Sequence, residues 1–167
     1  MKRKRLFAAF ALVAVTLAAD PPKTGDSIKL AAVRYDALAD AIRNEKGKVV
    51  VVDFWADYCL PCKREFPKLV ALHRKFAAGG LTVMSVSLDD PNEPASKPKV
   101  KAFLHARKAD FANYLLDEKP EFWQAKLRAE GPPVVYVFNR KGELEQRFAD
   151  EIDYTKVESL VSDLLKK

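Results

Sequence analysis

The segment Val49-Val-Val-Val-Asp-Phe-Trp-Ala-Asp-Tyr-Cys59-Leu-Pro-Cys62 constrains this chain more than any other. Val49 to Trp55 is a near-continuous apolar run, the pattern of a strand buried on both faces. A Cys-x-x-Cys follows and opens an amphipathic helix with Phe66, Leu69, Val70, His73 and Phe76 along one face. Cys59 and Cys62 are the only cysteines, so any disulfide within one chain joins them to each other. Such a pair suits disulfide exchange: one thiolate attacks, and a second thiol close by releases the mixed disulfide.

The rest of the chain punctuates cleanly. Ile28 to Val33 reads as an edge strand, and Tyr35 to Asn44 carries apolar residues at helical spacing before Gly47. Gly79-Gly80 ends the cysteine-bearing helix and Leu81 to Leu88 is the next strand. Asp89 to Pro98 reads as a loop, Val100 to Lys108 as a helix, Asn113 to Leu116 as a short strand and Glu121 to Ala129 as a helix. Val134 to Phe138 and Glu143 to Phe148 flank an Asn139-to-Gly142 turn and predict an antiparallel hairpin. Val157, Leu160, Val161 and Leu164 mark a last helix. The order gives a βαβ half, an inserted segment and a ββα half. This is an α/β fold with a central mixed sheet flanked by helices.

The residues Asp53-Phe-Trp55-Ala, Cys59-Leu-Pro-Cys62, Lys-Arg-Glu65-Phe-Pro67 and Gly131-Pro-Pro133 together resemble the thioredoxin-fold superfamily. Within it, they resemble the exported TlpA/ResA-like thiol–disulfide oxidoreductases, over roughly Ile28 to Leu165. The resemblance implies a thioredoxin-like fold, Cys59 as nucleophile, Cys62 as resolving thiol and Pro133 as a cis-proline facing them. The Pro132 backbone would then be turned toward Cys59, where an extended substrate can pair with it. Two positions depart from the family pattern: Tyr58 stands where Trp is usual, and Leu60-Pro61 replaces Gly-Pro. Both bear on redox potential and partner contact, so the resemblance leaves oxidant and reductant open.

Helix-end N–H groups favour a thiolate at Cys59, so Cys59 is expected to be the exposed, acidic thiol and Cys62 the shielded one. Asp53 is a carboxylate in an apolar strand. Burial raises its pKa and makes it a candidate proton acceptor for Cys62; the alternative is a hydrogen-bonded structural acid. Glu65 either tunes the thiols, as the resemblance implies, or is a solvated helix acid. Trp55 and Tyr58 flank the motif and are assigned to the substrate-binding side, with packing beside the site as the other reading for Trp55 and covering Cys59 as the other reading for Tyr58. His73 reads as a packed histidine and His105 as part of a solvated basic face.

The start of the chain points outside the cytoplasm. Lys2-Arg3-Lys4-Arg5 precedes an apolar stretch from Leu6 to Ala19 that ends in small residues, the pattern of a signal peptide over 1–19. An uncleaved N-terminal anchor is the alternative. Residues 20–27, with Pro21-Pro22 and Gly25, read as a linker, and 28–167 as the domain. Without the first 19 residues the net charge falls from +6 to +2, which gives no reason to expect nucleic-acid binding. The implied function is an extracytoplasmic oxidoreductase acting on client protein disulfides. Its electrons would come from a membrane thiol donor, and its only redox group is the Cys59–Cys62 disulfide. No cofactor and no stable metal are expected. A copper-binding module using the two thiolates, or a non-catalytic interaction domain, are the competing functions. A peroxidase would call for a Thr/Ser and Pro just ahead of the reactive cysteine, which are absent.

Overall fold

A computed structural model of the protein describes residues 28–167. The expected signal peptide, anchor and linker over 1–27 lie outside the described residues. No helix among the described residues is long and apolar enough to cross a membrane.

Six strands form one sheet: β1 (Leu30–Val33), β2 (Val49–Trp55), β3 (Leu81–Ser87), β4 (Ala112–Leu116), β5 (Val134–Phe138) and β6 (Leu144–Ala149). Their spatial order is β1-β4-β3-β2-β5-β6. The first four in that order are parallel, whereas β5 runs antiparallel to β2 and β6 antiparallel to β5. The sheet is therefore mixed, as the βαβ and ββα halves require. Five α-helices cover it: α1 (Tyr35–Arg43), α2 (Leu60–Phe76), α3 (Ser96–Arg107), α4 (Pro120–Leu127) and α5 (Tyr154–Leu165). The inserted segment contributes α3, β4 and α4.

All seven residues of β2 are buried. Their alternation splits them between two cores. Val49, Val51 and Trp55 pack with α2, α3 and α5. Val50, Val52 and Phe54 pack with Leu38 of α1 and Trp123 and Leu127 of α4. The first core centres on Trp55, Phe66 and Phe103, whose ring centroids lie 4.7 to 5.3 Å apart. Burying side chains of this size contributes about 1.5–3 kcal/mol each. Aromatic pairs of this geometry add about 0.5–1.5 kcal/mol.

Helix boundaries differ from expectation where proline is involved. α3 starts at Ser96, four residues earlier than expected, because Pro98 falls in its first turn, where a missing N–H leaves no hydrogen bond broken. Pro120 likewise opens α4. That helix stops at Leu127 because Arg128 takes a left-handed φ of 52°. α2 runs through Pro67, whose ring deprives the Lys63 carbonyl of its ordinary donor. Beyond Phe76 a short 3-10 turn ends at Gly80, which adopts φ +99° and turns the chain into β3.

Candidate active site

The end of β2 and the start of α2 form a corner that side chains hold in place. Asp89, just after β3, accepts hydrogen bonds from the Asp57 backbone N–H (2.8 Å) and the Ser87 hydroxyl (2.7 Å). Lys63 donates to the Asp57 carboxylate at 2.7 Å. The corner therefore presents Cys59 as the N-cap of α2, in an extended conformation, and its sulfur accepts from the Cys62 backbone N–H at 3.2 Å. That contact is the geometry by which a helix end stabilises a thiolate.

Cys59 and Cys62 form a disulfide with Cα atoms 5.3 Å apart. Their exposures are 6 % and 4 %, so the expected contrast between an open Cys59 and a shielded Cys62 is absent. What stands in solvent are the flanking side chains, Tyr58 at 64 % and Leu60 at 76 %. Opposite them the Pro132–Pro133 peptide bond is cis, the isomer expected at this place. The Cys59 sulfur lies 3.7 Å from the Pro132 carbonyl oxygen.

On the other side of the disulfide lies a cleft of about 510 Å3 lined by Asp53, Cys62, Glu65, Pro133 and Tyr154, among others. Asp53 is 4 % exposed and its Oδ2 accepts from the Tyr154 hydroxyl at 3.1 Å. Burial pushes its pKa up to about 7, against the opposing pull of the Tyr154 hydrogen bond. The Tyr154 hydroxyl is raised well above its ordinary value by burial and by the Asp53 charge, so it remains a neutral donor. Glu65 is a different acid: a hydrogen bond from Lys68 holds it below the usual carboxylate range, and Arg64 adds to this. The two carboxyls lining one cleft thus sit on opposite sides of their ordinary pKa, one protonatable near neutral pH and one fixed as an anion.

The assignment of Trp55 to the substrate side is corrected. Trp55 is fully buried against Phe66 and Phe103, and its indole N–H meets no acceptor among the described residues. The alternation of β2 turns it into the core, so no client can touch it. His73 stacks edge-on with Phe111, ring centroids 5.2 Å apart, as a packed histidine does. Among the described residues no group of three or more His, Cys, Asp or Glu lies together to hold a metal ion. One residue at the site escaped the sequence reading. Tyr154 carried only its place after the N-cap Asp153, which accepts from Thr155 N–H at 2.9 Å.

A mixed sheet of this order, with a Cys-x-x-Cys at the start of the helix after its central strand and a cis-proline facing it, defines a thioredoxin-like redox protein. The chain belongs to the AhpC/TSA family, whose sequence model matches residues 28–147. It is 26% identical over 122 residues to sporulation thiol-disulfide oxidoreductase A of Bacillus subtilis (strain 168), across 73% of this chain and 67% of that one. It is also 26% identical over 120 residues to thiol-disulfide oxidoreductase ResA of the same strain, across 72% and 61%. The chain thus spans about two thirds of the length of these curated relatives. The crystal structure of a putative thiol:disulfide interchange protein DsbE from Chlorobium tepidum superposes with a TM-score of 0.60 at 26% identity. That match covers 73% of this chain and 83% of the other. The TlpA/ResA-like resemblance is borne out.

Proposed function

We propose that this protein is an extracytoplasmic thiol–disulfide oxidoreductase that reduces disulfides in client proteins. The observation that carries the reading is the joined Cys59–Cys62 pair at the N-terminus of α2, between a cis-proline and a buried carboxyl whose pKa lies near 7.

In the reduced form, the Cys62 N–H and the end of α2 stabilise a Cys59 thiolate. That thiolate attacks one sulfur of the client disulfide. A Cys59–client bond forms, the client bond breaks, and one client thiolate leaves. Cys62 gives its proton to the Asp53 carboxylate and attacks the Cys59 sulfur. The Cys59–Cys62 bond closes and the second client thiolate departs, so two electrons have passed to the client. Tyr58, Leu60 and the Pro132 backbone receive the client. Glu65 remains an anion beside the cleft and adjusts the thiols through its charge. A membrane thiol donor restores the dithiol, and no further cofactor takes part. The basic start and apolar stretch of the sequence support export.

The test is a pair of variants. Cys59→Ser is expected to abolish reduction of insulin disulfides. Cys62→Ser is expected to attack and then stall as a covalent adduct with its client, which mass spectrometry can identify. Capture by Cys59→Ser instead would reverse the roles. The potential of the couple decides direction: a value near that of thioredoxin, about −270 mV, fits a reductant, whereas one near about −120 mV would make it an oxidant.

A further inference from the structure

We propose that Tyr154 is a positioning residue that controls proton transfer from Cys62 to Asp53, an inference that rests on the oxidoreductase reading above. Among the described residues the Tyr154 hydroxyl is the only hydrogen-bond partner of the Asp53 side chain. The two residues are 101 positions apart and both are buried. Their contact exists only because the first turn of α5 closes over β2. Tyr154 lines the same cleft as Asp53 and Cys62, so the three groups share one solvent path.

The chemistry follows from what a neutral donor does beside a buried carboxylate. Resolution begins when the Cys62 S–H bond breaks and the proton goes to Asp53, leaving a Cys62 thiolate and a neutral carboxylic acid. The hydroxyl stabilises the state before this transfer, in which Asp53 is an anion, and holds its oxygen in a fixed orientation. After the thiolate has closed the Cys59–Cys62 bond, the acid returns its proton to water in the cleft. A phenolic hydroxyl can rotate to accept from the acid in the interval, so one group serves both protonation states.

Other charges around Asp53 are placed differently. From α2 come Cys62, Arg64, Glu65 and Lys68, and from the β6–α5 turn and α5 come Asp150, Glu151, Asp153 and Lys156. The neighbours of Asp53 in β3 and β5 are Ser85 and Val135, neither of which titrates. Ser85 is committed elsewhere, its hydroxyl donating to the Asn113 side-chain Oδ1 at 2.8 Å. Arg64, Lys68 and the charged groups of the β6–α5 turn and α5 are exposed and screened. Glu65 is half-buried, and its charge acts on the Tyr154 hydroxyl rather than through a hydrogen bond to Asp53. Tyr154 alone reaches the Asp53 carboxyl directly.

The experiment is stopped-flow oxidation of the reduced protein by an aromatic disulfide whose thiol product is coloured. The first equivalent of colour reports attack by Cys59, and the second reports resolution by Cys62. Tyr154→Phe removes one oxygen. It is expected to leave the first phase unchanged and to slow the second about five-fold at pH 7. It should move the second phase's pH midpoint up by about one unit, with rates converging on wild type above about pH 9. Asp53→Asn slows the second phase at every pH, and adding Tyr154→Phe to it changes nothing further, because the hydroxyl then has no carboxylate to act on. A loosened fold would instead slow both phases at all pH values. Infrared titration of the Asp53 carboxyl gives an independent readout, with a higher midpoint expected in Tyr154→Phe. An unmoved midpoint and unchanged second phase in Tyr154→Phe, with Asp53→Asn still slow, would overturn the role of Tyr154 and leave the oxidoreductase reading intact. A second phase that survives Cys62→Ser would instead defeat that reading.

Discussion

Replacing Asp53 by Asn is expected to change how stability depends on pH. The carboxyl titrates near 3.8 when exposed and is pushed up to about 7 in the fold by burial. The native state therefore holds a proton that the unfolded chain has released between those two values. Stability is fully present below about pH 4 and declines as pH rises toward 7, beyond which both states are ionised and the loss is complete. A difference of about three units at about 1.36 kcal/mol each gives a loss of about 4 kcal/mol. This is an upper bound, because the carboxyl lines a cleft that water can enter. Asn cannot ionise, so the loss vanishes in the variant. Its amide brings N–H groups that need partners, at a pH-independent cost of about 1–3 kcal/mol. The variant is thus expected to be the less stable protein near pH 4 and the more stable one at pH 8. Urea unfolding of both proteins in the oxidised form, at half-unit steps across this range, measures the difference, and contributions from other groups cancel in it. A difference that stays constant within about 0.5 kcal/mol would refute the burial argument. So would one in which the wild type gains on the variant as pH rises.

Three further outcomes separate packing, client contact and export. Trp55→Ala is expected to lose about 3–5 kcal/mol of stability, because the ring fills the core between Phe66 and Phe103. Tyr58→Ala with Leu60→Ala is expected to shift stability by under about 0.5 kcal/mol while raising KM for a protein client, since both side chains stand in solvent. Equal stability losses in the two variants would contradict this division. For export, N-terminal sequencing of the extracytoplasmic fraction of an expressing bacterium is expected to start at Ala19 or Asp20; a cytoplasmic protein retaining Met1 would contradict it.

The parts of this site that were legible in the sequence are those written in consecutive residues. The β2 run, the Cys-x-x-Cys, Pro61 within its first helical turn and the Gly-Pro-Pro ahead of β5 each carry a local signal, and each lies where that signal places it. Adjacency misled at Trp55. Four residues from Cys59 in sequence, it reads as a neighbour of the client, yet the strand turns it into the core. Cys59 misled in another way, since a helix N-terminus predicts an accessible atom, while the residue is only 6 % exposed and its sulfur lies 3.7 Å from the Pro132 carbonyl oxygen. Tyr154 left no local trace of its role, because a contact spanning 101 residues belongs to the packing of α5 on β2.

The parity of β2 decides what the buried acid can do. In a strand buried on both faces, sequence does not reveal which core a given residue enters. Asp53 shares its face with Val49, Val51 and Trp55, and so points toward the helices that carry Cys62 and Tyr154. At position 52 or 54 the same carboxyl would meet Met84, Leu127 and Trp123, with the same desolvation and no thiol to receive a proton from. The disulfide then divides the site. The Pro132 carbonyl lies against the Cys59 sulfur, whereas the cleft with Asp53, Tyr154 and Glu65 is lined by Cys62. In the proposed reaction a client seated over Cys59 leaves the cleft free, so Asp53 can take the proton of Cys62 while the client is bound and pass it to water once the Cys59–Cys62 bond has closed. In that proposed sequence the resolving thiol loses its proton while the client still covers the attacking one, and a cleft lined by Cys62 and Asp53 gives the proton a place to go.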